Sequence, residues 1–117
     1  MKQLLEKTLL GLKGATVSYP FGPEVLVYKV IGKMFALVAH EEAMPRINLK
    51  CAPADAEVLV SEYASIIPGY HMNKRHWITV SLMGDLPEDL LVDLINDSYN
   101  LVVSKLTKAD KALLSEL

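Results

Sequence analysis

The stretch GYHMNKRHW, residues 69–77, gathers His71, Asn73, Lys74, Arg75, His76 and Trp77 with no carboxylate among them. Histidine moves protons near neutral pH and ligates metals. Lysine and arginine pair with phosphate or carboxylate. Tryptophan stacks on flat groups or anchors an interface. Catalysis, metal binding, nucleic-acid contact and a solvated turn therefore compete for this stretch.

A zinc site needs three or four ligands. His71 and His76 face each other across a turn, and His40 and Cys51 are remote in sequence. Surface or hydrogen-bonded histidines are the simpler reading, so neither metal nor cofactor is expected. Cys51 closes an alternating run whose inward residues are Ile47 and Leu49. It is expected to point into the core as a small hydrophobe, away from any activating base. Ser81 lies in no nucleophile elbow, and the glycines are scattered at turns and form no phosphate loop. Asp89, Asp93 and Asp97 recur at helical spacing and read as a solvated ridge. No catalytic constellation emerges, and the chain is expected not to be an enzyme.

The remaining chemistry is contact. Asn73-Lys74-Arg75 between two extended segments reads as a turn tip, because asparagine satisfies turn backbone locally. The elements that position this tip follow from hydrophobic period. Leu4, Leu5, Thr8, Leu9 and Leu12 mark one face of a first helix, which Gly11 and Gly14 end. Residues 25–31 are rich in β-branched side chains and predict a strand. Ile31-Gly32-Lys33 predicts a hairpin turn into a second strand, 33–40. Glu41, Glu42 and Pro45 mark a turn. Residues 46–51 then alternate, with Ile47, Leu49 and Cys51 on one face and Arg46, Asn48 and Lys50 on the other. Pro53 opens a second helix with Ala56, Leu59, Val60 and Tyr63 inward. Residues 65–69 read as a loop, and 76–82 alternate again, with Trp77, Thr79 and Ser81 outward. Gly84-Asp85 predicts a turn, and Asp85 or Leu86 is expected to cap a third helix, Asp85 and Glu88 having capping-box spacing. That helix carries an apolar face of Leu90, Leu91, Leu94, Ile95, Ser98, Leu101 and Val102. Residues 108–117 predict a final helical turn or two.

Three strands joined by short turns form an antiparallel meander. Helices with one apolar stripe must cover the apolar face of the sheet. The expected fold is two-layer α+β in the order α-β-β-β-α-β-β-α, with helices on one face of an antiparallel sheet. The 117 residues make one domain, 1–117. A composition 51% hydrophobic and 22% charged supports a core without staples. The single cysteine excludes an internal disulfide, and no apolar run is long enough to span a membrane. The N-terminus reads as an amphipathic helix and not a signal peptide, so a cytoplasmic protein is expected.

If helices cover one face, the other is open. Lys29, Arg46, Asn48, Lys50 and Trp77 fall on it, next to the Asn73-Lys74-Arg75 tip and its flanking histidines. The acids fall on the helices, so a chain of net charge −2 can still present a basic sheet face. Cations on such a face release counterions from phosphates, and rings stack on unpaired bases. The alternatives are a solvated face, polar as in any antiparallel α+β sheet, and a protein partner anchored on Trp77.

The segments SYPFGPEVLVYKVIGKMFAL, RINLKC, PGYHMNKRHWITV and LPEDLLVDLINDSYNLVVSKL resemble the YjbR/MmcQ family of small bacterial proteins, from about residue 12 to about residue 106. Family-typical positions are Tyr19, Pro20, Phe21, Gly22, Asn48, Leu49, Lys50, Cys51, Gly69, Tyr70, His71, Asn73, Lys74, His76, Trp77, Asp97, Ser98 and Tyr99. The resemblance implies a fold like that of secretion chaperones and, in outline, of frataxin-like domains. It also implies DNA binding through a "double wing" surface, with no enzyme activity or cofactor. The frataxin likeness raises iron binding, but frataxins use an acidic first helix, and here Glu6 stands among Lys2, Lys7 and Lys13. The chaperone likeness raises a protein- or peptide-binding module, as monomer or homodimer.

Overall fold

The computed structural model describes residues 2–40, 43–70, 72–84 and 86–117. The amphipathic start forms α1 (Lys2–Leu10), with Leu5 and Leu9 buried one turn apart. Gly11 ends it, its N–H reaching the Lys7 carbonyl at 3.0 Å. Then come β1 (Ala15–Ser18), β2 (Val25–Val30), β3 (Lys33–Ala39) and β4 (Arg46–Lys50). After them follow α2 (Pro53–Glu62), β5 (Ile66–Pro68), β6 (Trp77–Ser81), α3 (Glu88–Ser104) and α4 (Lys108–Ser115). The strands make one six-stranded sheet, β1-β2-β3-β4-β6-β5, with every neighbouring pair antiparallel.

The expected two-layer α+β fold and the β2-β3-β4 meander are therefore present. Six strands stand where five were expected: β1 was not anticipated, and β5 sits earlier than the extended segment expected before the turn tip. β1, sequence ATVS, is too short to show a period, and pairing with β2 makes it a strand. β5 lies in the stretch read as a loop, and its register with β6 holds Ile66 opposite Val80. The first helix of the C-terminal half also starts differently. Pro87 is the N-cap of α3 and makes no side-chain cap bond, so Leu86 does not cap it. Asp85, Glu41 and Glu42 lie outside the described residues.

The β2–β3 turn matches the sequence reading. Ile31 (φ 46°) and Gly32 (φ 75°) both adopt left-handed backbone between paired Val30 and Lys33. A two-residue turn of this hand follows the twist of the strands. Further along the same pair the register shifts between Tyr28 and Lys29, leaving Phe35 as the extra residue of a bulge.

The main core lies between the sheet and the helices. Tyr28, Phe35, Ile47, Leu49, Ile78 and Val80 meet Leu9, Leu91, Ile95 and Val102 there, all nearly inaccessible to solvent. Phe35 meets Tyr99 edge-on, with ring centres 5.4 Å apart. Ser98 is wholly buried on the apolar stripe of α3. Its hydroxyl donates to the Phe35 carbonyl at 2.6 Å and accepts from the Lys50 N–H at 2.8 Å. It thus closes the gap that the bulge opens in the β3–β4 ladder.

Candidate nucleic-acid interface

Alternation assigns the outward side chains as the sequence predicts. Lys29 on β2, Arg46, Asn48 and Lys50 on β4, and Trp77, Thr79 and Ser81 on β6 share the face away from the main core, while Cys51 turns inward. The face is not open, however. Val27, Leu37 and Trp77 form a second apolar cluster on it, with Val25, Met34 and Met72 packed around them. Trp77 is only 8% exposed and Asn48 only 9%. The outward, solvent-facing Trp77 expected from sequence is corrected accordingly, and so is the exposed Asn48.

The cover comes from Gly69, Tyr70 and Met72. Gly69 continues the β5–β6 ladder, donating to the Trp77 carbonyl at 2.8 Å. A Cβ on Gly69 would stand 2.8 Å from that of Trp77, so only glycine lets the loop pass. Tyr70 N–H then donates to Thr79 Oγ1 at 2.8 Å, and Thr79 Oγ1 donates to Asn48 Oδ1. This chain ties the loop down across the face, and Met72 packs beside Trp77. Arg46 lies over the Tyr70 ring, its guanidinium carbon 4.8 Å from the centroid.

The tip itself is a turn, as expected. Asn73 Oδ1 accepts from Arg75 N–H at 3.0 Å, and the Asn73 carbonyl accepts from Trp77 N–H at 3.0 Å. Lys74 Nζ donates to the Gly69 carbonyl at 3.2 Å. Lys74 and Arg75 are exposed, but they line a groove with Pro53, Glu57, Val60 and Ser61 of α2. The tip therefore leans toward the helical layer and does not extend the sheet face. His76 is half-buried, its carbonyl accepting from Cys51 N–H at 2.8 Å. His71 lies outside the described residues.

The predicted residues thus divide. Asn48 belongs with Thr79 at the covered centre of the face, and Arg46, half-buried at the other end of β4 from Lys50, lies over the exposed Tyr70. Lys29 and Lys50 belong to the end of the sheet that carries the β2–β3 turn. There a cleft of about 330 Å³ is lined by Lys33, Met34, Lys50, Trp77, Val102, Lys105 and Leu106. Lys29 pairs with Met34 at its margin. Three lysines around an apolar floor, with no carboxylate in the lining, suit this cleft to an anion. Sequence reasoning passed over Lys33 and Lys105. Lys33 follows a recognisable hairpin turn and carried that signal. Lys105 arrives from the end of α3, and only tertiary packing brings it here.

Cys51 is buried beneath Asp55 and Asp97. Burial first, and then these two carboxylates, push its thiol up to about 11. Among the described residues, no three His, Cys, Asp or Glu side chains are grouped so as to hold a metal ion. No helix among them is long and apolar enough to cross a membrane.

The family model described as YjbR matches residues 10–101. The chain belongs to the YjbR family. Its relatives include the uncharacterised protein YbdF of Escherichia coli O157:H7, 46% identical over 94% of this chain and 93% of the relative. They also include the uncharacterised protein YjbR of Escherichia coli K12, 37% identical over 76% of this chain and 75% of the relative. Among solved structures, Deinococcus radiodurans protein DR2400, a DUF419 domain, superposes with a TM-score of 0.86. It shares 38% identity, over 95% of this chain and 85% of its own. A Pseudomonas syringae protein reaches 0.74 at 29% identity, over 86% of this chain and 96% of its own. The YjbR resemblance read from the YPFG, NLKC, GYHMNKRHW and DSY segments is thus upheld, and so is the α+β fold it implies. All these relatives are bacterial proteins.

Proposed function

We propose that this YjbR domain is a non-catalytic, cytoplasmic DNA-binding protein that meets phosphates with the lysine-rich end of its sheet. The observation that carries the reading is the cleft where Lys33, Lys50 and Lys105 converge beside Lys29 with no carboxylate between them. Lysines in this arrangement neutralise phosphates and release counterions. The β2–β3 turn stands beside it, with Lys33 at its end. Lys74 and Arg75 add charge at the β5–β6 loop, next to Glu57. The acids of α2 and α3 do not line the cleft, which reconciles a mildly acidic chain with a polyanionic partner. Trp77 supports the floor under this reading and does not stack on bases.

The test is fluorescence anisotropy with labelled duplex and single-stranded oligonucleotides at low salt. Lys33 and Lys105 are both exposed, so Lys33→Glu with Lys105→Glu keeps the fold. The double variant is expected to bind at least about tenfold more weakly, the loss of two phosphate contacts and the gain of two repulsions. Wild-type protein that binds neither DNA, or a double variant that binds as well as wild type, refutes the reading.

A further inference from the structure

The helical layer does not close over the whole sheet. α3 packs on β3 and β4, and α2 packs on β5. β6 lies between β4 and β5, its inward Ile78 and Val80 already buried, and above them α2 and α3 stand apart. A groove of about 550 Å³ opens there, within the size range of ligand-binding pockets. Its floor is Cys51 and Ile78. One wall is the α2 face of Asp55, Val58 and Leu59, and the other is the α3 face of Leu90, Asp93, Leu94, Asp97 and Leu101.

Both walls are helix faces, with spacings of three and four residues. Leu90 to Leu101 spans about 16 Å at 1.5 Å per residue, or about three helical turns. The apolar side chains are not fully spent on the core, since Val58 is 52% exposed and Leu59, Leu90 and Leu101 are half-buried. Asp55 stands on one wall and Asp93 and Asp97 on the other, all exposed. Lys50, at one end, is the single cation of the lining. That Asp55 and Asp97 both act on the Cys51 thiol places carboxylates of both walls close to the floor.

We propose that this groove docks a basic amphipathic α-helix of a partner protein. Its apolar stripe lies on Val58, Leu59, Leu90, Leu94 and Leu101, and flanking lysines or arginines meet Asp55, Asp93 and Asp97. Such a helix fills the space between α2 and α3 and anchors at positions three, four and seven apart, the usual pattern of a helix in a groove. The three carboxylates repel nucleic acid and acidic partners, so the occupant's charge is set. The site lies on the helical layer and shares only Lys50 with the lysine-rich end.

The test uses two synthetic helical peptides with the same leucine stripe, one flanked by lysines and one by glutamates. Binding is read by chemical-shift changes in a ¹⁵N-labelled protein. The lysine peptide is expected to bind, with shifts concentrated at residues 55–59 and 90–101, and the glutamate peptide to bind at least tenfold more weakly. Asp93→Lys with Asp97→Lys, both exposed, is expected to reverse that preference. The proposal is overturned if the lysine peptide does not bind at about 1 mM, if the two peptides bind alike, if the shifts map elsewhere, or if the double variant keeps the wild-type preference.

Discussion

Ser98 shows how much one side chain can hold. A serine on an apolar helix stripe looks neutral in sequence, yet here it satisfies a strand carbonyl on one side and a strand N–H on the other. Ser98→Ala leaves both backbone groups buried and unpaired, and each such group costs about 1–3 kcal/mol. A loss of roughly 2–4 kcal/mol in urea unfolding is expected, and a loss under about 0.5 kcal/mol would mean that the bulge is satisfied otherwise. Cys51 behaves as its alternation predicts, as a buried hydrophobe. With the thiol raised to about 11, the thiolate is scarce near neutral pH. Alkylation by iodoacetamide at pH 8 should run roughly a hundredfold slower than for a free cysteine. Burial also raises Tyr28, with Glu6 adding to it, and Tyr99. The unfolded chain ionises these groups first, so the stability their neutral forms contribute is whole below pH 9. For Cys51 it declines as pH climbs toward about 11, and for the two tyrosines as pH climbs past the ordinary tyrosine range. A urea midpoint that stays flat from pH 8.5 to pH 11 would contradict this.

The β5–β6 hairpin is the element whose role the structure changes. Period and turn chemistry placed its strand, its tip and the parity of Trp77, but parity does not say what lies over a face. The signal of a cover was present elsewhere. VLVYKV of β2 and MFALVA of β3 are nearly continuous apolar runs, the mark of strands buried on both sides. Alternation in β4 and β6, RINLK and WITVS, pointed the other way, because Asn48 and Thr79 are polar yet satisfied by each other and by the loop. A buried polar pair is indistinguishable in sequence from an exposed one. The cover depends on Gly69, where a side chain would press on Trp77. Gly69→Ala is expected to lift the loop, shift Trp77 emission to the red and lower stability by about 1–3 kcal/mol. An unchanged emission spectrum would show that the loop yields without uncovering the ring.

Charge partition belongs to the whole molecule. The order of helices and strands made it predictable that acids lie on α2 and α3. It could not show that the sheet's cations split between Arg46 over Tyr70 at one end and a group of lysines at the other. Lys105 joins that group only because α3 ends above the β2–β3 turn, a fact of tertiary packing. The same packing leaves a groove between α2 and α3 above the buried Ile78 of β6, and no local sequence feature announces it. Two surfaces of opposite sign on one small domain follow, a lysine-rich sheet end and an acidic interhelical groove. The lysine-rich end carries the account's central claim, and the salt dependence of DNA affinity tests it most directly. Three to four phosphate contacts predict that log K falls against log salt with a slope of about −3 to −4 on duplex DNA. Lys33→Glu with Lys105→Glu should flatten the slope by roughly two. A slope near zero, or one that the double variant leaves untouched, would contradict the claim.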